Sequence, residues 1–159
     1  MPIPPYVAHL RTMIGHDLLW LPGCTAVVLR EVGHGTEVLL LRRSDTGEWT
    51  PVTGIVDPGE EPHVAAVREV LEETCVVAEV ERLVWVSAGE VIRHVNGDRG
   101  QYLDHTFRCR WVSGEPRPGD DEATETAWFE LGALPPMPRR HVERVACAVA
   151  DPREVRLGR

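Results

Sequence analysis

Residues 67–75 read VREVLEETC, and the acids among them, Glu69, Glu72 and Glu73, stand three and four positions apart. On a helix that spacing places side chains on one side. The plain interpretation is a solvated acidic stripe, in which like charges at this spacing cost about a few tenths of a kcal/mol each and Arg68 offsets part of that by pairing with Glu72. The chemical interpretation is a cage for a hard divalent cation. Mg2+ takes oxygen ligands in near-octahedral array, usually few carboxylates completed by waters and substrate phosphate oxygens. A Gly- and Pro-bearing loop, TGEWTPVTGIVDPGEEP, runs into this segment and would expose backbone carbonyls beside the acids. Pro62 sits where a helix can begin, because its missing N–H would be unpaired there anyway. At roughly 100° per residue, Val64, Val67, Val70 and Leu71 fall on one side of that helix and the glutamates on the other. The acid-bearing face is therefore expected to need no core packing.

The pattern continues upstream. Gly54 is followed by Glu60 after five residues, and seven more lead to Arg68-Glu69-Val70-Leu71-Glu72-Glu73-Thr74-Cys75-Val76. This resembles the Nudix box. The chain departs from it at Cys75, where the family has glycine, and just before Gly54, where Val52-Thr53 replaces a common Pro-Gly. The resemblance implies an α/β/α sandwich with a mixed β-sheet, and Mg2+ or Mn2+ held by Glu69, Glu72 and Glu73 with the Gly54 carbonyl as a further ligand. It implies that Glu60 and Arg68 orient that set. It also implies a hydrolase that cleaves a nucleoside diphosphate linked to another group (a nucleoside triphosphate, a nucleotide sugar or similar) by attack of an activated water on phosphorus. The acidic run GDDEATETAWFE resembles the loop before a Trp-Phe strand in many members, which implies Glu122 as the general base; Glu69 is the alternative and Glu125 a weaker candidate. Arg43 and Arg42, ending a predicted strand, are shaped to grip phosphate. Trp49 and Tyr102 are candidates to stack on a base, although aromatics in such positions are more often core. Two other classes share the fold: a nucleotide-metabolite sensor without catalysis, disfavoured by retention of all three box glutamates, and a diphosphate isomerase, for which only Cys109 offers a comparison.

The elements that must position these groups read as follows. Residues 5–14 have helical spacing and stop at Gly15; residues 24–30 and 37–43 read as strands around a GHG turn; 101–112 and TAWFEL read as further strands; and 139–150 as an amphipathic helix. Helices and strands mix without strict alternation, which favours one domain over 1–159, with an N-terminal extension (1–23), a core (24–134) and a C-terminal helix (139–150). A chain of 159 residues with 43% hydrophobic and 26% charged residues suits one soluble globular domain. A net charge of -8 argues against a DNA-binding surface but permits a phosphorylated small molecule when cations lie between. No apolar run is long enough for a membrane span, no signal-peptide pattern opens the chain, and the four cysteines lack metal or disulfide spacing, so the cytoplasm is expected. The segment before Cys24 is a candidate homodimer interface.

Overall fold

The uninterrupted apolar run after Gly23 becomes the centre of the sheet. In the computed structural model, which describes residues 3–33 and 35–159, the order is α1 (Pro5–Ile14), β1 (Leu19–Val32), β2 (Gly35–Arg43), β3 (Trp49–Thr50), β4 (Val52–Ile55), α2 (Pro62–Thr74), β5 (Val77–Ala88), β6 (Ile92–Arg93), β7 (Arg99–Ser113), β8 (Ala123–Glu130), α3 (Arg139–Ala150) and β9 (Arg156–Leu157). Residues 24–29 of β1 are all buried because that strand is covered on both faces. Alternation along the strands supplies both layers. Val28, Leu39 and Leu41 join Val70, Val76 and Phe107 under α2, while Val27, Val38 and Leu40 join Val84, Val145 and Ala148 under α3. The result is an α/β/α sandwich around a mixed sheet: β1 runs parallel to β7, β9 parallel to β5, and the other pairs are antiparallel.

One irregularity shapes the molecule. β1 and β2 pair only from Leu29↔Val38 to Val32↔Gly35 and then part. Beyond that point β4 takes the edge of β1 over Gly23–Ala26, β3 pairs β2 at Leu41 and Arg42, and β8 lines the other edge of β2. The segment expected as an irregular loop thus carries two short strands inside the split, and β6 and β9 are likewise unforeseen. Strands this short are defined by their cross-strand partners, not by a period in their own residues. The strand expected over 24–30 spans Leu19–Val32, and TAWFEL begins earlier, at Ala123. The segment before Cys24 is no appendage: it supplies α1 and the first turns of pairing between β1 and β7, and Arg11 ties α1 to the Arg99 carbonyl at 2.9 Å. The turn expected at GHG centres on His34, which lies outside the described residues, as do the first two residues of the expected extension. Among the described residues no helix is long and apolar enough to cross a membrane.

The C-terminus of α2 is closed by Cys75 in the left-handed region, φ 59° and ψ 16°, its N–H donating to Leu71 O at 3.0 Å. The acidic loop completes the cap: the Arg117 and Gly119 N–H groups donate to Thr74 O and Glu73 O, both at 3.0 Å. Gly119 comes so near that a Cβ there would stand 2.0 Å from Glu72 O. Cys75 therefore keeps the backbone a glycine would adopt, at a cost of about 1 kcal/mol for its Cβ. Cys75→Gly is expected to raise unfolding stability by up to ~1 kcal/mol in urea titration; a loss of stability would mean that the thiol's packing outweighs the strain.

Candidate active site

The inner stripe of α2 is Ala65, Ala66, Glu69, Val70, Glu73 and Thr74. Glu69 and Glu73 are 1% and 2% exposed, while Val64 and Leu71 face outward at 45% and 52%. This corrects the expected division of the helix into an apolar core face and an acidic outer face. Two alanines let the helix approach the sheet closely, and the i, i+4 row carries Glu69 and Glu73 inward with them. Glu72, turned off that row, stays at the rim and accepts from Arg68 Nη1 at 3.1 Å.

A carboxylate withdrawn from water is costly unless it is paired and hydrogen-bonded. Glu69 is half-served: its Oε1 accepts from Arg68 Nη1 at 3.0 Å, and its Oε2 is buried with no hydrogen-bond partner. Burial pushes its carboxyl up to about 7, against the pull of Arg68 and with a push from Glu72. Burial pushes Glu73 up to about 8, reinforced by the charges of Glu69 and Asp120 and opposed by Arg43. Arg68 itself is held as a fork. Its Nε and Nη2 donate to the two oxygens of Glu60 at 2.8 and 2.9 Å, and Glu60 Oε2 also accepts the Asp57 N–H at 3.2 Å. Gly54 is required by close approach rather than by its dihedrals: a Cβ there would lie 2.4 Å from Glu69 Cγ, Cδ and Oε1. The Gly54 carbonyl faces the Cys24 thiol at 3.7 Å.

The other candidates separate. Arg43 follows Leu39 and Leu41 on the α2 side of β2, and its charge reaches Glu73. Arg42 turns the other way, pairing with Glu125 at 2.8 Å on the neighbouring strand. Trp49 is half-buried, edge-on to Phe129 at 4.9 Å in the layer beneath α3, so its ring is engaged in packing. Tyr102 lies along the glycine backbone at Gly23 and Gly100, with its hydroxyl 3.2 Å from His94 Nε2. Glu122 sits just before β8; its N–H donates to Asp120 Oδ1 at 2.9 Å and its carbonyl accepts the Ser44 N–H at 2.7 Å. Asp120 was not singled out by sequence, because nothing in the run GDDEATE distinguishes it; only the docking of that loop on α2 brings its charge to Glu73.

Among the described residues no three His, Cys, Asp or Glu side chains stand together as a ready ligand set, since Glu72 is turned to Arg68. The donors nevertheless suit a hard cation: two desolvated carboxylates, one with an orphaned oxygen, beside a glycine backbone.

The NUDIX domain profile matches residues 21–150. An NAD-capped RNA hydrolase NudC of Pseudomonas aeruginosa is 39% identical over 109 residues, covering 67% of this chain and 36% of that relative. This chain thus spans well under half the length of the curated NudC relatives it matches. A MutT NUDIX hydrolase of Burkholderia pseudomallei superposes with a TM-score of 0.58 at 26% identity, covering 81% of this chain and 98% of that one. An ADP-ribose pyrophosphatase of Streptococcus suis 89-1591 shares the fold, with a TM-score of 0.64 at 23% identity over 87% of this chain and 97% of that one.

The buried acids make a pH prediction. Their folded pKa values, about 7 and about 8, lie above the ordinary 4.5, so the metal-free fold loses stability as pH rises from about 4.5 to about 8. His141, on the buried face of α3 and pushed down to about 2 from 6.5, acts oppositely and costs stability below pH 6.5. That histidine contribution, to which His94 adds because burial lowers it too, fades over about a unit above 6.5, so the carboxylates dominate the slope toward pH 8. In EDTA the wild-type Tm is expected to fall across that window, and Glu73→Gln to flatten the fall; parallel curves would refute a Glu73 carboxyl raised by burial.

Proposed function

We propose that this chain, which belongs to the NUDIX family, is a divalent-metal-dependent pyrophosphohydrolase acting on a nucleoside diphosphate linked to another group. The observation that carries this is the pair of carboxylates buried under α2 with one oxygen left unpartnered, an arrangement whose cost a bound cation would repay. Glu69 and Glu73 would hold Mg2+ or Mn2+, with Glu72 recruited from the rim and the Gly54 carbonyl adjacent. When bound, the cation supplies neutralisation of charge on the diphosphate oxygens and lowers the pKa of bound water.

The chain's own residues do the rest. Glu60 and Arg68 form a fixed strut that sets the rotamer of Glu69. Arg43, on the same side of the sheet as Glu73, meets a phosphate oxygen. Tyr102 offers a face to a base or nicotinamide ring. Glu122, or Glu69 where its carboxylate is free, takes the proton of the attacking water as the new P–O bond forms and the bridging P–O bond breaks. The leaving phosphate departs with the electron pair of that bond. The NudC relative, named as a hydrolase of NAD-capped RNA, puts dinucleotides of the NAD type first among substrates, ahead of ADP-ribose, nucleotide sugars and nucleoside triphosphates.

The test is product release from NAD+, NADH, ADP-ribose, UDP-glucose and the nucleoside triphosphates with Mg2+, with Mn2+ and with EDTA. One class is expected to be cleaved only with metal. Glu73→Gln, isosteric in a buried place, should lower kcat by at least ~100-fold, the upper end for a group that merely supports a metal ligand. Metal-independent cleavage, or full activity in the variant, would sink the proposal.

A further inference from the structure

Arg43 acts on the buried Glu73 through its charge yet makes its ion pair elsewhere. Its Nε donates to Asp45 Oδ1 and its Nη2 to Asp45 Oδ2, both at 2.8 Å, a fork-to-carboxylate pair between residues two apart. Asp45 is a third exposed, at 33% for its side chain, whereas Glu73 is 2% exposed and makes no ion pair with Arg43 among the described residues. The preference is built into the turn that carries Asp45. Gly47 N–H donates to Arg43 O at 2.9 Å, Arg43 N–H to Glu48 O at 2.9 Å, and Glu48 N–H to Thr46 Oγ1 at 3.3 Å. Ser44 N–H ties the same turn to Glu122 O at 2.7 Å. The Asp45 carboxylate is held within this turn: besides Arg43, the backbone N–H groups of Thr46 and of Asp45 itself act on it and help keep it below the ordinary carboxylate range.

A guanidinium presents donors along two edges. Asp45 occupies the Nε–Nη2 edge, and among the described residues the Nη1 group carries no hydrogen bond. We propose that Asp45 is a positioning residue: it holds one edge of Arg43 so that the other stays presented to a substrate phosphate oxygen and the guanidinium does not collapse onto Glu73. The inference rests on the hydrolase reading and deepens it, because the group being kept open is the one that would receive the diphosphate. Without Asp45, Arg43 would spend side-chain entropy to meet the phosphate, and its competing partner would be a carboxylate needed for the cation.

Asp45→Asn keeps shape and removes the charge; Asp45→Glu restores a carboxylate. In 15N-edited spectra the Arg43 Nε–H resonance, identified by its absence in Arg43→Lys, should be sharp in the wild type, broadened in Asp45→Asn and recovered in Asp45→Glu. Calorimetric binding of α,β-methylene-ADP with Mg2+ should weaken about three- to tenfold in Asp45→Asn, the entropy of one freed side chain. KM on the substrate found by panel should rise by a similar factor with a smaller change in kcat. If the wild type is active and Asp45→Asn alters only Tm, the pair is a turn brace and the inference fails while the hydrolase proposal stands. If the wild type neither cleaves any member of the panel nor binds α,β-methylene-ADP, the hydrolase proposal fails and takes the phosphate role of Arg43 with it.

Discussion

Two glutamates under a helix, one turn apart and almost wholly removed from water, are the costliest feature of this fold. An isolated ion buried in protein carries a penalty of several kcal/mol even after relaxation. Arg68 answers part of that at Glu69 and none of it directly at Glu73, whose carboxyl burial pushes up to about 8. Much nearby serves to keep the pair where it is. Ala65 and Ala66 bring the helix close to the sheet, Gly54 leaves room for the Glu69 side chain, and Glu60 pins the arginine that orients it.

The split in the sheet lies at the same place. β1 and β2 pair for four residues and separate, and the segment 49–55 enters the gap to bring Gly54 beneath α2. The acidic loop before β8 then folds over the C-terminal end of the helix, donating to the carbonyls of Glu73 and Thr74. That contact brings a further acid, Asp120, toward Glu73 and adds to the burial penalty instead of relieving it. Local stability is thereby given up at one end of the molecule, while the aliphatic layers under α2 and α3 hold the rest together.

What could be read from the residues was the part with a period or a fixed spacing. α1 and α3 fall at 5–14 and 139–150 as their helical patterns indicate, Arg68 links Glu60 to Glu69 and Glu72, and Gly54 lies against Glu69. What could not be read depended on tertiary partners. β3, β4, β6 and β9 exist because another strand lies beside them. The face that α2 buries could not be inferred from hydrophobicity, because two of its inward residues are charged and two of its outward ones, Val64 and Leu71, are aliphatic. Arg42 and Arg43 look equivalent in sequence, yet the pleat sends one to Glu125 and the other to the side of Glu73. Trp49 likewise became a packing residue once β3 placed it against Phe129.

The most direct test of the buried pair as a cation site is Mn2+ binding to the metal-free protein, followed by electron paramagnetic resonance across pH 6–9. If the pair awaits a cation, Mn2+ binds the wild type with affinity that rises with pH as the two carboxyls lose their protons, and Glu69→Gln and Glu73→Gln each abolish that rise. Weak binding with no dependence on pH, or binding unchanged in both variants, would contradict it.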